Sequence, residues 1–210
     1  MKYGQFFWNH RAEILQATQQ HLVLVLASML IAVAICVPLG MWIVGRPRLQ
    51  SIALGFANIF QTIPSLALFG FLIPIPFIGG IGARTAIVAL VLYAMLPILR
   101  NTCLGLNGID PVVLEAAEAM GMTDRQVLLR VRLPLARSII LAGIRTSTVI
   151  TIGVATIAAA IGAGGLGTYI FRGVAMVDTA VILAGAVPAA LLALAADSLL
   201  GLLERRFRVA

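Results

Sequence analysis

Residues able to do acid–base, nucleophilic or metal chemistry are scarce in this sequence of 210 residues, which has 8 acidic side chains and 2 histidines. No nucleophile, base and acid lie at a spacing typical of a hydrolase. Cys36 and Cys103, like His10 and His21, lack the spacing of metal ligands. A Walker-type phosphate loop is missing from the sequence as well. We therefore predict a protein that is not an enzyme and that holds no metal or cofactor itself.

A glycine run at residues 162–167 matches the G-x-G-x-x-G pattern of dinucleotide sites. Such a site needs a preceding strand and an acidic residue about 20 positions further on. The run before the glycines is long and apolar enough to span a membrane, and Asp178 follows too early. We interpret the glycines as a tight re-entrant turn at a membrane edge, where protein or a water-filled cavity must surround the backbone.

The composition excludes an ordinary soluble domain. Hydrophobic residues make up 61% of the chain and charged residues 11%, whereas soluble domains carry about 25% charged residues. The apolar excess must face lipid or other membrane helices. The net charge of +7 comes from residues between the apolar runs and not from a stripe with interleaved aromatics. Nucleic acid is therefore not the expected partner.

Five runs are interpreted as bilayer-spanning helices, which need about 20 mostly apolar residues, and the third of them is short. The predicted spans cover about residues 22–44, 52–73, 84–99, 138–161 and 179–203. Pro64 interrupts the second run, so its division into two shorter segments stays open. No internal repeat or linker divides the sequence. We predict an all-α integral membrane protein with one transmembrane domain over residues 1–210.

The basic residues predict the orientation in the membrane. With five spans the two ends lie on opposite sides, and the side richer in Lys and Arg is cytoplasmic. The richer side carries Arg46, Arg48, Arg100, Arg125, Arg130, Arg132, Arg137, Arg205, Arg206 and Arg208. The other side carries Lys2, Arg11, Arg84 and Arg172. The N-terminus is therefore expected outside and the C-terminus in the cytoplasm.

Residues 1–21 precede the first predicted span. Phe6, Phe7, Ile14 and Leu15 alternate with polar residues there, as in an amphipathic helix that lies in the membrane interface. A polar lead-in to the first span explains the same pattern equally well, and both interpretations stay open.

Residues 100–137 are predicted to form a long cytoplasmic segment. Asp110 and Pro111 are typical of a helix start, with a capping acid followed by proline at the first position. Gly121 would end that helix, and Thr123 could cap a second one. Two short helices joined at a glycine below the membrane would form a rigid knob that docks on a soluble partner and transmits its motion.

This segment resembles the EAA loop of ABC importer permeases. The residues that carry the resemblance are Glu115, Ala116, Ala117 and Gly121, with Leu133 and Pro134 closing the loop. In that family the first short helix is the coupling helix, which docks on the nucleotide-binding subunit. The resemblance implies the type I importer permease fold. It also implies an ABC ATPase subunit that holds ATP and Mg, a second permease copy or homologue, and an extracytoplasmic binding protein.

Further segments resemble the osmoprotectant branch of this family, the glycine betaine, carnitine and choline uptake systems. They are residues 61–67, 96–102 and 161–167, and the likeness extends from about residue 14 to 206. It implies a permease of the bacterial inner membrane for a small quaternary-ammonium solute. Because the sequence stops at Ala210, we expect a separate binding protein. A permease for an amino acid, methionine or ergothioneine, or an ion-coupled secondary transporter, is the alternative.

Polar side chains within spans are costly in a bilayer and are therefore informative. Gln61, Thr62 and Ser65 lie around the proline of the second span, and Thr148 and Thr151 share one face of the fourth. We expect these residues to line the translocation pathway. Packing between helices is the alternative for the two threonines, because small hydroxyl residues also serve that role.

Two further expectations concern the ends of the spans. We expect an outer gate at the glycine run, formed by Gly162, Gly164, Gly165 and Gly167. Near the cytoplasmic side, Arg145 and Asp197 are charges inside the fourth and fifth spans, at similar depth. We predict a structural ion pair between them, because pairing lowers the cost of a charge in the membrane. Separate snorkelling of each side chain to the interface is the alternative.

Overall fold

In a computed structural model, the chain is described over residues 2–207, with side chains from residue 4 onward, and this part is helical without strands. Arg208, which contributes to the topology prediction, lies outside the described residues. The helices are α1 (Lys2–Asn9), α2 (Arg11–Ile43), α3 (Pro47–Thr62), α4 (Ser65–Leu72), α5 (Ala83–Asn107), α6 (Pro111–Ala119), α7 (Asp124–Gln126), α8 (Leu133–Ile157), α9 (Gly167–Met176) and α10 (Thr179–Arg206). A π-helical segment, Val127–Arg132, joins α7 to α8, and a 3₁₀ turn, Ala158–Ile161, follows α8.

Four helices of the described residues are long and apolar enough to cross a membrane. They are α2, α5, the continuous helix from Asp124 to Ile161, and α10. The pair α3 and α4 forms a fifth span if the two are counted together, with a bend of 102° between them. The all-α membrane architecture with about five spans is therefore confirmed.

The bend between α3 and α4 occurs at Pro64, where the sequence left a division open. Ile63 has φ −73° and ψ 128°, which is an extended backbone conformation. A proline disfavours the helical conformation of the residue before it, because its ring clashes with that residue's backbone. The second span is accordingly two short helices and not the single run 52–73.

The first long helix begins at Arg11 rather than at residue 22, so residues 1–21 are not one separate element, and residues 11–21 continue into the first span as in the lead-in interpretation. Only α1 is a separate helix. Ile14, Ala17 and His21 of α2 are buried against the rest of the chain. Because this face is buried, residues 11–21 stay in the long helix even though polar residues alternate with the buried ones.

The core is built around α5, which packs against α2, α3 and α8. Leu90, Ile98 and Leu99 of α5 are fully buried. Glycines allow close approach at two contacts with α5. A Cβ on Gly40 would lie 2.5 Å from Thr102 Cγ2, and one on Gly143 would lie 2.5 Å from Asn101 Cβ. Small residues at helix contacts are typical of membrane bundles, where packing drives association.

The long helices on both sides extend into the predicted cytoplasmic segment 100–137. Helix α5 continues to Asn107, and the next long helix starts at Asp124. The expected second short helix is therefore not a separate element, because it runs into the fourth span through the π-helical segment. The N–H of Leu133 donates to the carbonyl of Leu128, which is the wide π-type bond. Pro134 follows this segment inside the continuous helix, where it cannot donate a backbone hydrogen bond, and a local departure from the α-helical pattern accommodates that loss.

Candidate functional site

Helix α6 is a short cytoplasmic helix with both ends fixed. At its start, the N–H of Val112 donates to Asp110 Oδ1 at 2.9 Å, and Pro111 takes the first position. At its end, Gly121 adopts a φ of +77°. The N–H groups of Gly121 and Met122 donate to the carbonyls of Glu118 and Ala117 at 2.9 and 3.2 Å. This is a Schellman cap, so the helix has defined ends and behaves as a rigid unit.

The outer face of α6 is exposed and mostly apolar. Val112, Ala116 and Met120 follow each other at a spacing of four residues and are all exposed, which places them on one stripe. Glu115 is exposed beside this stripe. Ala117 is only 2% exposed and faces the body of the protein. Of the predicted coupling residues, Glu115 and Ala116 are available to a partner, while Ala117 and Gly121 fix the position and end of the helix.

Two sets of hydrogen bonds hold the segment after α6. Thr123 and Gln126 form a reciprocal capping box, in which the Thr123 N–H donates to Gln126 Oε1 at 2.8 Å. Arg132 of the π-helical segment donates from Nη1 to the carbonyl of Leu106 at 3.0 Å. Carbonyls at a helix end lack helical partners, so this contact ties the segment to the end of α5. Leu133 and Pro134 are half-buried at the start of α8, apart from the exposed face of α6.

A polar cavity of about 370 Å³ separates the cytoplasmic end of α2 from the segment around α6. Charges of both signs line it: Arg46, Glu118, Asp124 and Arg132. The guanidinium of Arg46 lies 5.2 Å from the ring centroid of Trp42, a cation–π contact.

Arg145 is paired with two acidic residues of α10. Its Nε and Nη2 lie 2.7 Å from the two carboxylate oxygens of Asp197, and its Nη1 lies 3.2 Å from Glu204 Oε2. A two-point contact of this kind is the strong form of a charge-assisted hydrogen bond. Gly201 lies between the two acids, and a Cβ there would come within 3.1 Å of Arg145 Cζ. Glu204 was not predicted, although its spacing of seven residues from Asp197 places both on one helix face.

The polar residues around the α3–α4 break are divided between two environments. Gln61 is half-buried, and its Nε2 donates to the carbonyl of Tyr93 on α5 at 3.1 Å. The Tyr93 hydroxyl donates in turn to the carbonyl of Ile63. Thr62 is exposed and donates to the carbonyl of Ile59 at 2.7 Å. Gln61 is therefore engaged in a contact with α5, whereas the exposed Thr62 and the half-buried Ser65 stay predicted pathway residues.

The two threonines of α8 also differ. Thr148 is half-buried and donates to the carbonyl of Ile144 at 2.8 Å. Thr151 is fully buried, and its hydroxyl lies 3.6 Å from Met29 Sδ on α2. A side chain enclosed within its own chain cannot face a solute pathway. The expectation for Thr151 is corrected to the packing alternative, while Thr148 stays a candidate.

The glycine run forms a tight turn between the 3₁₀ turn and α9, and we call residues 162–167 the glycine turn. Gly162, Gly164 and Gly165 have φ of +74°, +78° and +78°, values that side chains with a Cβ adopt only at a cost. Gly167 has a different reason to be glycine, because a Cβ would lie 1.8 Å from the carbonyl oxygen of Thr156. No dinucleotide-type strand precedes the turn within the described residues.

Side chains of α2 contact the glycine turn and α9, although the sequence analysis did not single them out. The Gly165 N–H donates to Gln20 Oε1 at 3.2 Å, and the Tyr169 hydroxyl donates to Glu13 Oε2 at 3.1 Å. His21 of the same helix is fully buried. Burial, together with the bond to the Glu13 carboxylate, raises the pKa of the Tyr169 hydroxyl. These pairs are about 150 residues apart in sequence, so no local pattern signals them.

Among the described residues, no group of three or more His, Cys, Asp and Glu side chains comes together. Cys36 and Cys103 are buried and unbonded to each other.

Comparisons with known proteins agree on one family. The family model described as the binding-protein-dependent transport system inner membrane component matches residues 34–209. The carnitine transport permease protein OpuCB of Listeria monocytogenes is 42% identical over 96% of this chain and 91% of its own length. The glycine betaine/carnitine/choline transport system permease protein OpuCD of Bacillus subtilis (strain 168) is 44% identical over 96% and 87%. The osmoprotectant import permease protein OsmW of Salmonella typhimurium is 46% identical over 89% and 88%.

The fold is also that of solved transporter structures. A crystal structure of the MetNI methionine ABC transporter, in an inward-facing conformation, matches with a TM-score of 0.80 and 25% identity. The match covers 91% of this chain and 94% of that one. A structure of an amino acid ABC transporter with histidines matches with a TM-score of 0.79 and 20% identity, which shows the common fold.

Proposed function

The chain belongs to the family of binding-protein-dependent transport system inner membrane components, the permease subunits of ABC importers, and we propose that it forms the pathway for a small quaternary-ammonium osmoprotectant. Glycine betaine, carnitine and choline are the candidate solutes. The observation that carries the proposal is α6, a rigid cytoplasmic helix between two spans with an exposed face around Glu115. A fixed helix in this position can transmit the motion of a soluble partner into the membrane.

The partner of α6 in this proposal is an ABC ATPase subunit. Glu115 and the apolar stripe of Val112, Ala116 and Met120 supply the contact, and Ala117 holds the helix against the body of the chain. ATP and Mg are held by that subunit, so this chain hydrolyses nothing. Closure of the ATPase dimer displaces α6, and the π-helical segment carries the displacement into α8.

Further partners complete the pathway. A second permease copy or a homologue provides the other half, and a separate extracytoplasmic binding protein delivers the solute. Large apolar side chains cover the membrane surface of the described chain, for example Leu30 at 71%, Ile52 at 69% and Leu194 at 64% exposure. Such a surface suits lipid and a second permease subunit.

The names of the relatives support the choice of solute. Relatives that are 42–46% identical over most of the chain are named for carnitine, choline, glycine betaine or osmoprotectant transport. The methionine and amino acid transporters are 20–25% identical in the structural matches. The betaine-type solute is therefore favoured over an amino acid or methionine. The exposed coupling helix favours an ATP-driven importer over an ion-coupled secondary transporter.

Transport by the reconstituted complex tests this function. The chain would be assembled in proteoliposomes with its ATPase subunit and binding protein, and uptake of radiolabelled glycine betaine would be measured. We expect ATP-dependent uptake that unlabelled carnitine or choline reduces and that methionine and histidine leave unchanged. ATP-dependent uptake of methionine or histidine instead would overturn the solute. Uptake that follows an ion gradient without ATP would overturn the mechanism.

A further inference from the structure

The outer half of α2 contacts the glycine turn and α9 along a single face. Glu13, Gln20 and His21 carry these contacts, and a spacing of seven and eight residues places them on one side of the helix. Glu13 accepts from the Tyr169 hydroxyl on α9 at 3.1 Å. The two other residues meet the glycine turn itself.

Gln20 provides, from α2, the acceptor for one backbone N–H of the glycine turn. Within the turn region, the N–H groups of Gly162 and Ala163 donate to the carbonyls of Ala159 and Ala158. The N–H of Gly165 donates across to Gln20 Oε1 at 3.2 Å. A Cβ on Gly164 would lie 2.7 Å from the same oxygen, so glycine is what permits this approach.

His21 fills the space behind the turn. It is fully buried, and its Nε2 lies 3.1 Å from the carbonyl oxygen of Ile152 on α8. A Cβ on Gly165 would lie 3.2 Å from His21 Nδ1 and 3.4 Å from its Cα. The imidazole therefore lies between α8 and the turn, and fixes their separation.

Such a turn depends on contacts from outside. Glycine has more conformational freedom than any other residue, and three residues of this turn have positive φ. A segment of that kind is poorly fixed by its own backbone. Its position is set by the side chains of α2 that hold it.

We propose that Gln20 and His21 are positioning residues, which fix the glycine turn to α2 and keep the outer end of the pathway closed until a loaded binding protein docks. The proposal rests on the transport function proposed above. The contacts occur in a chain whose fold matches a permease of an inward-facing transporter with a TM-score of 0.80. Contacts made in one conformation stabilise it over the others, so their loss shifts the population toward the outward-open state.

The expected consequence is ATP hydrolysis without ligand. Because the two ends of the pathway are coupled, weakening the closed outer end favours the closed ATPase dimer. Loss of one hydrogen bond shifts such an equilibrium by about two- to tenfold. We therefore expect Gln20→Ala to raise basal ATPase activity of the full complex by about two- to tenfold, and to reduce its stimulation by the loaded binding protein.

Matched variants make the test specific. Gln19→Ala changes the adjacent exposed glutamine, which lines the same cavity as Gln20 and Ala163 but makes no hydrogen bond to the turn among the described residues. Gln20→Glu keeps an acceptor oxygen for the Gly165 N–H. We expect both variants to behave like wild type. Gln20 is itself exposed, so its variants should fold, and thermal denaturation of each purified complex checks this.

The assay is ATP hydrolysis by the complete transporter in proteoliposomes, with and without binding protein and solute. A raised basal rate in Gln20→Ala alone supports the positioning role. Equal basal rates in Gln20→Ala, Gln19→Ala and wild type, with wild type still stimulated, overturn it while the transport function stands. A wild type that no binding protein stimulates contradicts the proposed function, and this inference is lost with it.

Discussion

Arg145 on α8 and Asp197 on α10 form a two-point ion pair, with both nitrogen–oxygen distances at 2.7 Å. Glu204 adds a third contact to the same guanidinium at 3.2 Å. The pair joins two membrane-spanning helices, the first of which begins directly after the segment that carries α6. Arg145 lies several turns along α8 from the end nearest α6, so the pair fixes α8 to α10 within the span.

Removing one partner of this pair should be worse than removing both. Asp197→Ala removes the two-point contact and leaves Arg145 with only its single contact to Glu204, and a charge within a span that loses its main partner is costly. We expect Asp197→Ala to lower the melting midpoint of the purified protein, and the double variant Asp197→Ala, Arg145→Ala to recover part of the loss. Midpoints are measured by size-exclusion chromatography after heating. A double variant as unstable as the sum of the two single ones would contradict the coupling.

Tyr93 should stabilise the break between α3 and α4. Its hydroxyl donates to the carbonyl of Ile63, and its own carbonyl accepts from Gln61. Tyr93→Phe removes the first bond and leaves the part-buried carbonyl of Ile63 without its donor, which costs about 1 kcal/mol. We expect lower thermal stability together with slower maximal uptake, because Thr62 and Ser65 follow the position of the break.

The control for Tyr93→Phe is Tyr169→Phe, which removes a tyrosine hydroxyl bonded to Glu13 and not to a residue of the break. Tyr169→Phe should leave the α3–α4 region unchanged. The measurement is the thiol reactivity of a cysteine introduced by Thr62→Cys. If the Thr62→Cys thiol reacts equally fast with and without Tyr93→Phe, Tyr93 does not stabilise the break between α3 and α4.

Gly167 and Gly153 differ in the space available for a Cβ atom, so substitution by alanine should have different effects at the two positions. A Cβ at Gly167 would lie 1.8 Å from a backbone oxygen of α8, whereas a Cβ at Gly153 would meet nothing within 4 Å. Gly167→Ala should therefore destabilise the protein by about 1–3 kcal/mol or more. Gly153→Ala should be neutral, or stabilising by about 0.5–1 kcal/mol, because it replaces glycine within a helix. The measurement is the thermal unfolding midpoint of each variant. Equal midpoints would contradict the close packing of Gly167 against α8.

Local chemistry explains what the sequence predicted well. The ends of α6 follow from Asp110, Pro111 and Gly121, whose effects operate within a few residues. The membrane spans follow from runs of apolar residues for the same reason. The ion pair of Asp197 and Arg145 was predicted only from their similar depth in the membrane. That depth could be judged because the sequence indicates where the cytoplasmic ends of both spans lie.

Long-range packing explains what the sequence missed. The start of α2 at Arg11 depends on burial of Ile14 and His21 against distant parts of the chain. The contact of Gln20 with Gly165 joins residues 145 positions apart. The π-helical segment likewise leaves no pattern, since its residues also suit an α-helix. Thr151 was assigned to the pathway because periodicity gives a helix face but not the neighbour that covers it.

The most direct test of the central claim is whether α6 binds an ATPase subunit through Glu115. Tagged wild type, Glu115→Arg and the charge-matched control Glu118→Arg would be purified from the native host's membranes under gentle extraction. Glu118 lines the cavity toward Trp42. We predict that the ATPase subunit accompanies wild type and the control, and that Glu115→Arg loses about tenfold or more of it, the effect of about 1.4 kcal/mol in binding. Wild type that purifies without an ATPase subunit, or Glu115→Arg that retains it in full with coupled ATP hydrolysis, would contradict the account.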